Sequence, residues 1–153
     1  MKKITNLIFC AVFLATLSSQ YGYAALGGGL DSISSDHKAL HAKHRAKSAN
    51  DRYSVEEITA DAVTVREYVT LSGVVFAVAW NGYVHPDLLQ LLGNYSSEYT
   101  ESHNKTVKNP GKRQLKITTK NIVVEKWGHM RSLKGRAYAP SLIPDGVRAD
   151  EIL

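Results

Sequence analysis

The sequence predicts an α+β fold. A single domain carries an antiparallel sheet of about five strands, with one main helix packed on a face and a peripheral N-terminal helix. Three observations lead there. The apolar run Val74-Val75-Phe76-Ala77-Val78-Ala79-Trp80 meets the turn dipeptide Asn81-Gly82 at its end, and a strand apolar at every position needs cover on both faces. Leu88, Leu91, Leu92 and Tyr95 then recur at helical spacing. The other β-rich runs are joined by tight turns, without the strand–helix alternation of a parallel sheet.

The elements follow in order. Lys2 and Lys3 precede the apolar stretch 7–17, polar Ser18, Ser19 and Gln20 come next, and Gly22 and Ala24 are small. This is the pattern of a secretory signal peptide, residues 1–24, cut after Ala24. The stretch is too short for a spanning helix, which needs about 20 apolar residues. Cleavage also removes Cys10, the single cysteine, so the mature chain has no thiol chemistry. Residues 25–52 read as a mobile lead-in, with Gly27-Gly28-Gly29, followed by a polar surface helix over 36–49 capped by Ser35 or Asp36. Residues 53–153 form the α+β domain. Tyr53 to Thr59 and Val63 to Thr70 alternate as strands, and Val74 to Trp80 is the central strand. On it Val74, Phe76, Val78 and Trp80 make a bulky face. Val75, Ala77 and Ala79 make a flat one against which a helix can lie closely.

His85-Pro86-Asp87 starts the main helix, with Pro86 at its first turn and Asp87 at the positive end of its dipole. The helix ends at Gly93 or runs through it to about Ser102. Leu115 to Lys120 and Ile122 to Trp127 pair about Lys120-Asn121, and Met130 to Tyr138 is a last strand. Pro140, Pro144 and Asp145-Gly146 give the C-terminal stretch an irregular path.

Charge is unevenly placed. Residues 103–138 hold ten Lys or Arg and one acid, Glu125, whereas 25–102 hold six basic and ten acidic side chains. The basic half points to an anionic envelope component, such as lipid headgroups or acidic glycans, or to an acidic protein. Lys112, Arg113 and Lys116 are the candidate contacts. Nucleic acid is not expected as a partner of an exported protein, and no transmembrane anchor is expected after cleavage. A face around Tyr83, Tyr95 and Tyr99 is the alternative contact surface.

Two smaller constellations bear on chemistry. His129, Arg131 and Arg136 flank Gly128 and Gly135, and on glycine-permitted turns they could grip a phosphate or carboxylate. His37, His41 and His44 share one face if 36–49 is helical, and imidazoles at that spacing can bind Zn, Cu or Ni. Lys38, Lys43, Arg45 and Lys47 crowd that face with positive charge, which opposes a cation. Ser35-x-x-Lys38 and Ser102-x-x-Lys105 match half of a serine acyl-enzyme motif and lack its Lys-Thr-Gly element. No nucleotide loop or metalloprotease motif occurs, and no cofactor is expected.

Val65-Arg66-Glu67-Tyr68-Val69, Val75-Phe76-Ala77-Val78-Ala79-Trp80, Pro86-Asp87-Leu88 and Leu91-Leu92-Gly93 form a familiar series with Gly128-His129-Met130-Arg131 and Gly135-Arg136-Ala137-Tyr138. The chain resembles a family of small exported bacterial proteins classed only as a domain of unknown function. The resemblance implies export and a single domain, and it supplies no activity or catalytic residue. The sequence therefore leads to an exported, periplasmic or secreted, non-enzymatic interaction module. A small anionic-ligand binder is the alternative, and a small envelope enzyme is the third reading.

Overall fold

The computed structural model describes residues 26–29, 44–106 and 114–153. β-Branched and aromatic residues at alternating positions build most of a seven-stranded antiparallel sheet. The strands are β1 (His44–Ala49), β2 (Tyr53–Thr59), β3 (Val63–Thr70), β4 (Val75–Gly82), β5 (Leu115–Thr118), β6 (Val123–His129) and β7 (Ser132–Tyr138). Their spatial order is β1-β2-β3-β4-β7-β6-β5, so β4 is central and β1 and β5 are the edges. The strand count is seven rather than about five.

The last six residues of the segment expected as a polar surface helix account for part of the difference, and 36–43 lie outside the described residues. His44–Ala49 is an edge strand, paired residue for residue with β2 from His44↔Thr59 to Ala49↔Ser54. Helix-permissive side chains gave way here to a row of backbone hydrogen bonds that a neighbouring strand offers. Of the expected lead-in, residues 26–29 lie among the described residues. Residues 26–29 dock on the domain: the Leu26 amide donates to the Leu91 carbonyl, and Gly27 and Gly28 exchange backbone bonds with Val75. Leu26 itself is buried in the core.

Between β4 and β5 run α1 (Leu88–Leu92), a 3-10 turn (Gly93–Tyr95) and α2 (Ser96–Lys105). The Asp87 carboxylate caps α1, accepting from the amides of Leu89 (2.9 Å) and Gln90 (3.4 Å). Gly93, at φ 48°, breaks the α-geometry, and the chain re-enters it at Ser96. No helix among the described residues is long and apolar enough to cross a membrane.

The sheet is covered on both faces. On the helix face Leu88, Leu91, Leu92 and Tyr99 pack with Ile58, Val65, Val78, Trp80, Ile117, Val124 and Ala137. On the other face the C-terminal stretch 139–153 brings Ile152 against Tyr68, Phe76, Ala77 and Ala79. The helix thus lies over the bulky side of β4, and the flat alanine side receives the C-terminal stretch. Gly135 makes room for this choice, since a Cβ there would overlap the Trp80 indole.

Phe76 departs from strict alternation. Tyr68 pairs with Ala77 but Val69 pairs with Val75, so Phe76 is the extra residue of a β-bulge. The bulge turns Phe76 onto the same face as Ala77 and Ala79, where its ring meets Tyr53 and Tyr68 edge-on at 5.8 and 6.1 Å. Its carbonyl accepts the Ala139 amide at 3.1 Å and starts the chain across that face.

Candidate functional site

The site is built from one cross-strand row. Pairing places Glu57 opposite Arg66, Arg66 opposite Ala79, Ala79 opposite Arg136, Arg136 opposite Glu125, and Glu125 opposite Lys116. Six strands therefore present acid, base, alanine, base, acid and base in line. In the next row Ala77 stands between Tyr68 and Tyr138. The alanines leave a trough along β4, walled by an arginine and a tyrosine on each side.

The C-terminal residues fill that trough. Arg136 Nη1 donates to the carbonyls of Ala149 (2.6 Å) and Ile152 (3.4 Å). Arg66 Nη1 donates to the Leu153 carbonyl at 3.3 Å. The Tyr68 hydroxyl donates to the same carbonyl at 2.8 Å and accepts the Leu153 amide at 3.0 Å. Burial pushes the Tyr68 hydroxyl above its ordinary pKa, offset in part by its bond to Leu153. Beside the filled trough an open groove of about 330 Å³ runs over β5, β6 and β7, lined by Lys116, Glu125, Trp127, Arg136, Gln114 and Leu153 among others.

The charges of this groove are coupled. Arg136 Nε donates to Glu125 Oε2 at 2.6 Å, and Lys116 Nζ lies 2.8 Å from Glu125 Oε1. Burial pushes the Glu125 carboxyl up, but the bonds from Lys116 and Arg136 outweigh it and hold the group below the usual carboxylate range. The bond to Glu125 raises the Lys116 ammonium in turn. The Arg136 guanidinium lies over the rings of Trp127 and Tyr138, at 5.8 and 5.9 Å. Two cations share one carboxylate, so the groove carries a net positive charge. Lys116 uses one of its donors on Glu125 with its side chain 63% exposed, and Arg136 Nη2 makes no hydrogen bond among the described residues.

The predicted residues distribute unevenly over this arrangement. Arg136, expected beside His129 and Arg131, is joined instead by Lys116, expected in a different patch. His129 is exposed, and its Nδ1 lies 3.0 Å from the Met130 carbonyl oxygen. Arg131 occupies the β6–β7 turn at φ 70° and lines a separate groove with Tyr83 and Asp61. Lys112, Arg113, His37 and His41 lie outside the described residues. His44 begins β1, so the helical spacing invoked for the three imidazoles does not hold there. Of the alternative tyrosine face, Tyr83 is exposed, whereas Tyr99 is buried and stacked on His103 at 5.5 Å.

The sequence reading missed two features. Glu57 and Arg66, with Nε to Oε2 at 2.7 Å, mirror Glu125 and Arg136 across Ala79. Glu56 and Glu67, directly opposite each other and next to Val78, are buried on the helix face, with Lys47 Nζ 2.9 Å from Glu56 Oε1. The alternation of β2 and β3 carried the second signal, since both acids fall in phase with Ile58 and Val65. His85 accepts a bond from Trp80 Nε1 at 2.9 Å and so supports the helix entry.

Residues 22–152 match a family model whose description reads "Protein of unknown function (DUF2844)". No curated protein and no solved structure matches the chain.

Proposed function

Because the chain belongs to the DUF2844 family, whose description assigns no activity, we propose its function from the site alone: an exported, periplasmic or secreted, non-enzymatic module that holds an acidic glycan of the cell envelope. The observation that carries this reading is the convergence of Lys116 and Arg136 on Glu125 beside the Trp127 ring. Glu125 orients both cations without neutralising them. An incoming carboxylate or phosphate meets the free donors of Lys116 and Nη2 of Arg136, in charge-assisted bonds. The indole offers an apolar wall for the body of the ligand, and a groove of about 330 Å³ suits one or two sugar units at a time. The positive excess of residues 103–138 supports capture of a polyanion, because it raises the encounter rate. The histidines with described side chains are engaged structurally, His85 with Trp80, His103 with Tyr99 and His129 with a neighbouring carbonyl. That supports a binding role over acid–base catalysis.

The test is retention on immobilised polygalacturonate, a polyuronate, against neutral dextran. The protein is expected to bind polygalacturonate at about 0.05 M salt and to release by about 0.5 M, as exposed charges are screened. Lys116→Gln is expected to weaken binding about fivefold or more with its circular dichroism unchanged. Absence of binding at low salt, or a variant that binds like wild type, overturns the proposal. Stronger retention on polyglutamate than on polygalacturonate also overturns it, and assigns the groove to an acidic protein.

A further inference from the structure

Three of the large hydrophobic side chains exposed among the described residues gather at one end of the sheet. Met130, 89% exposed, sits at the apex of the β6–β7 turn, and Tyr83 (64%) and Val84 (48%) follow the exit of β4. Pairing of Gly82 with Leu133 and of His129 with Ser132 brings the two segments side by side. Tyr83 and Arg131 line the same groove. The Tyr83 amide donates to the Ala62 carbonyl at 2.8 Å, which ties the β4 exit to the β2–β3 turn. Gly82 permits that approach, since a Cβ there would strike the backbone of Ala62 and Val63. The apolar side chains thus stand on a braced platform.

We propose that this end is a membrane-docking tip, which seats the module on an anionic lipid surface by placing Met130, Tyr83 and Val84 at the headgroup boundary. Single exposed hydrophobics are ordinary, but a group at one end of a domain marks a contact surface. The surrounding charge selects the partner. Arg131 and Lys134 are exposed and make no ion pair among the described residues, which leaves both to lipid phosphates. Of the acids at this end, Asp87 turns its carboxylate onto the α1 amides, and Asp61 lies in the β2–β3 turn across the groove from Arg131. Tyr and Met suit the interface because a large apolar body enters the acyl boundary at little desolvation cost, and the Tyr hydroxyl stays wet. This inference does not rest on the glycan reading. Lys116 and Arg136 lie on a sheet face rather than at the turn, with Arg136 two residues along β7 from Lys134.

The experiment is co-sedimentation of the protein, purified from the producing cells, with vesicles of phosphatidylcholine alone or mixed with phosphatidylglycerol. Wild type is expected to sediment with the phosphatidylglycerol vesicles and to be released by salt. The neutral pair Met130→Ser with Tyr83→Ser leaves charge unchanged and lies on exposed positions, so folding is preserved. It is expected to weaken binding by about tenfold or more. Arg131→Gln with Lys134→Gln is expected to remove the preference for phosphatidylglycerol. Lys116→Gln is expected to bind vesicles like wild type, which separates this surface from the groove. Failure of wild type to bind phosphatidylglycerol vesicles overturns the proposal. So does equal binding by the serine pair, which would leave an electrostatic contact with no apolar docking.

Discussion

Phe76 shows how one residue sets the character of a face. The bulge between β3 and β4 swings its ring out of the helix-side core and into a triad with Tyr53 and Tyr68. Fully buried there, it supports both the start of the C-terminal stretch and the trough beside it. Phe76→Ala is expected to cost about 3–5 kcal/mol in urea unfolding, and a loss under about 1 kcal/mol would contradict the packing described. His85 makes a second prediction at this scale. Burial, assisted by Lys126, holds its imidazole below 6.5, and Nδ1 must be unprotonated to accept from Trp80. The unfolded chain binds that proton more readily, so the contribution is present above about pH 6.5 and is lost as pH falls towards the lower folded value. Wild type should lose stability between about pH 7 and 5.5 more steeply than His85→Gln, and equal slopes would exclude the role. Burial of Phe76 was legible in its apolar neighbours. Its face was not, because a bulge depends on the partner strand rather than on the alternation within one strand.

The C-terminal stretch is the element that most changes the picture of the sheet. The flat Ala77–Ala79 side invited a closely packed helix on sequence grounds, and an irregular stretch took the place. Two arginines and a tyrosine bond its carbonyls, and Ile152, fully buried, fills the notch between them. Ile152→Ala is expected to cost about 2–5 kcal/mol, read by thermal or urea unfolding. A wild-type midpoint would show that the stretch rests on the sheet without supporting it. Strands β2 and β3 were legible to the residue, since apolar alternation and turn signals agree at both ends. β1 was not, because its sequence, HRAKSA, has neither alternation nor a β-branched residue. An edge strand of that composition exists through its partner, and no local signal announces it.

At the scale of the whole molecule the account turns on register. Lys116 and Arg136 are distant in sequence and were read as parts of separate patches, yet pairing puts both on Glu125. The charge asymmetry that suggested an anionic partner was visible in composition. The convergence of two cations on one carboxylate was invisible, because it needs three strands aligned to the residue. The domain that results has a helix-covered face, a face carrying the C-terminal stretch and the cationic groove, and an apolar tip at one end. The central claim is that an acidic glycan enters the groove against Trp127. The most direct measurement is tryptophan fluorescence during titration with a polygalacturonate oligomer, because Trp80 is buried at 2% exposure while Trp127 lines the groove. Wild type is predicted to show a saturable, salt-sensitive change in emission that vanishes in Trp127→Phe. No change in wild type, or a change that persists in Trp127→Phe, would contradict the account.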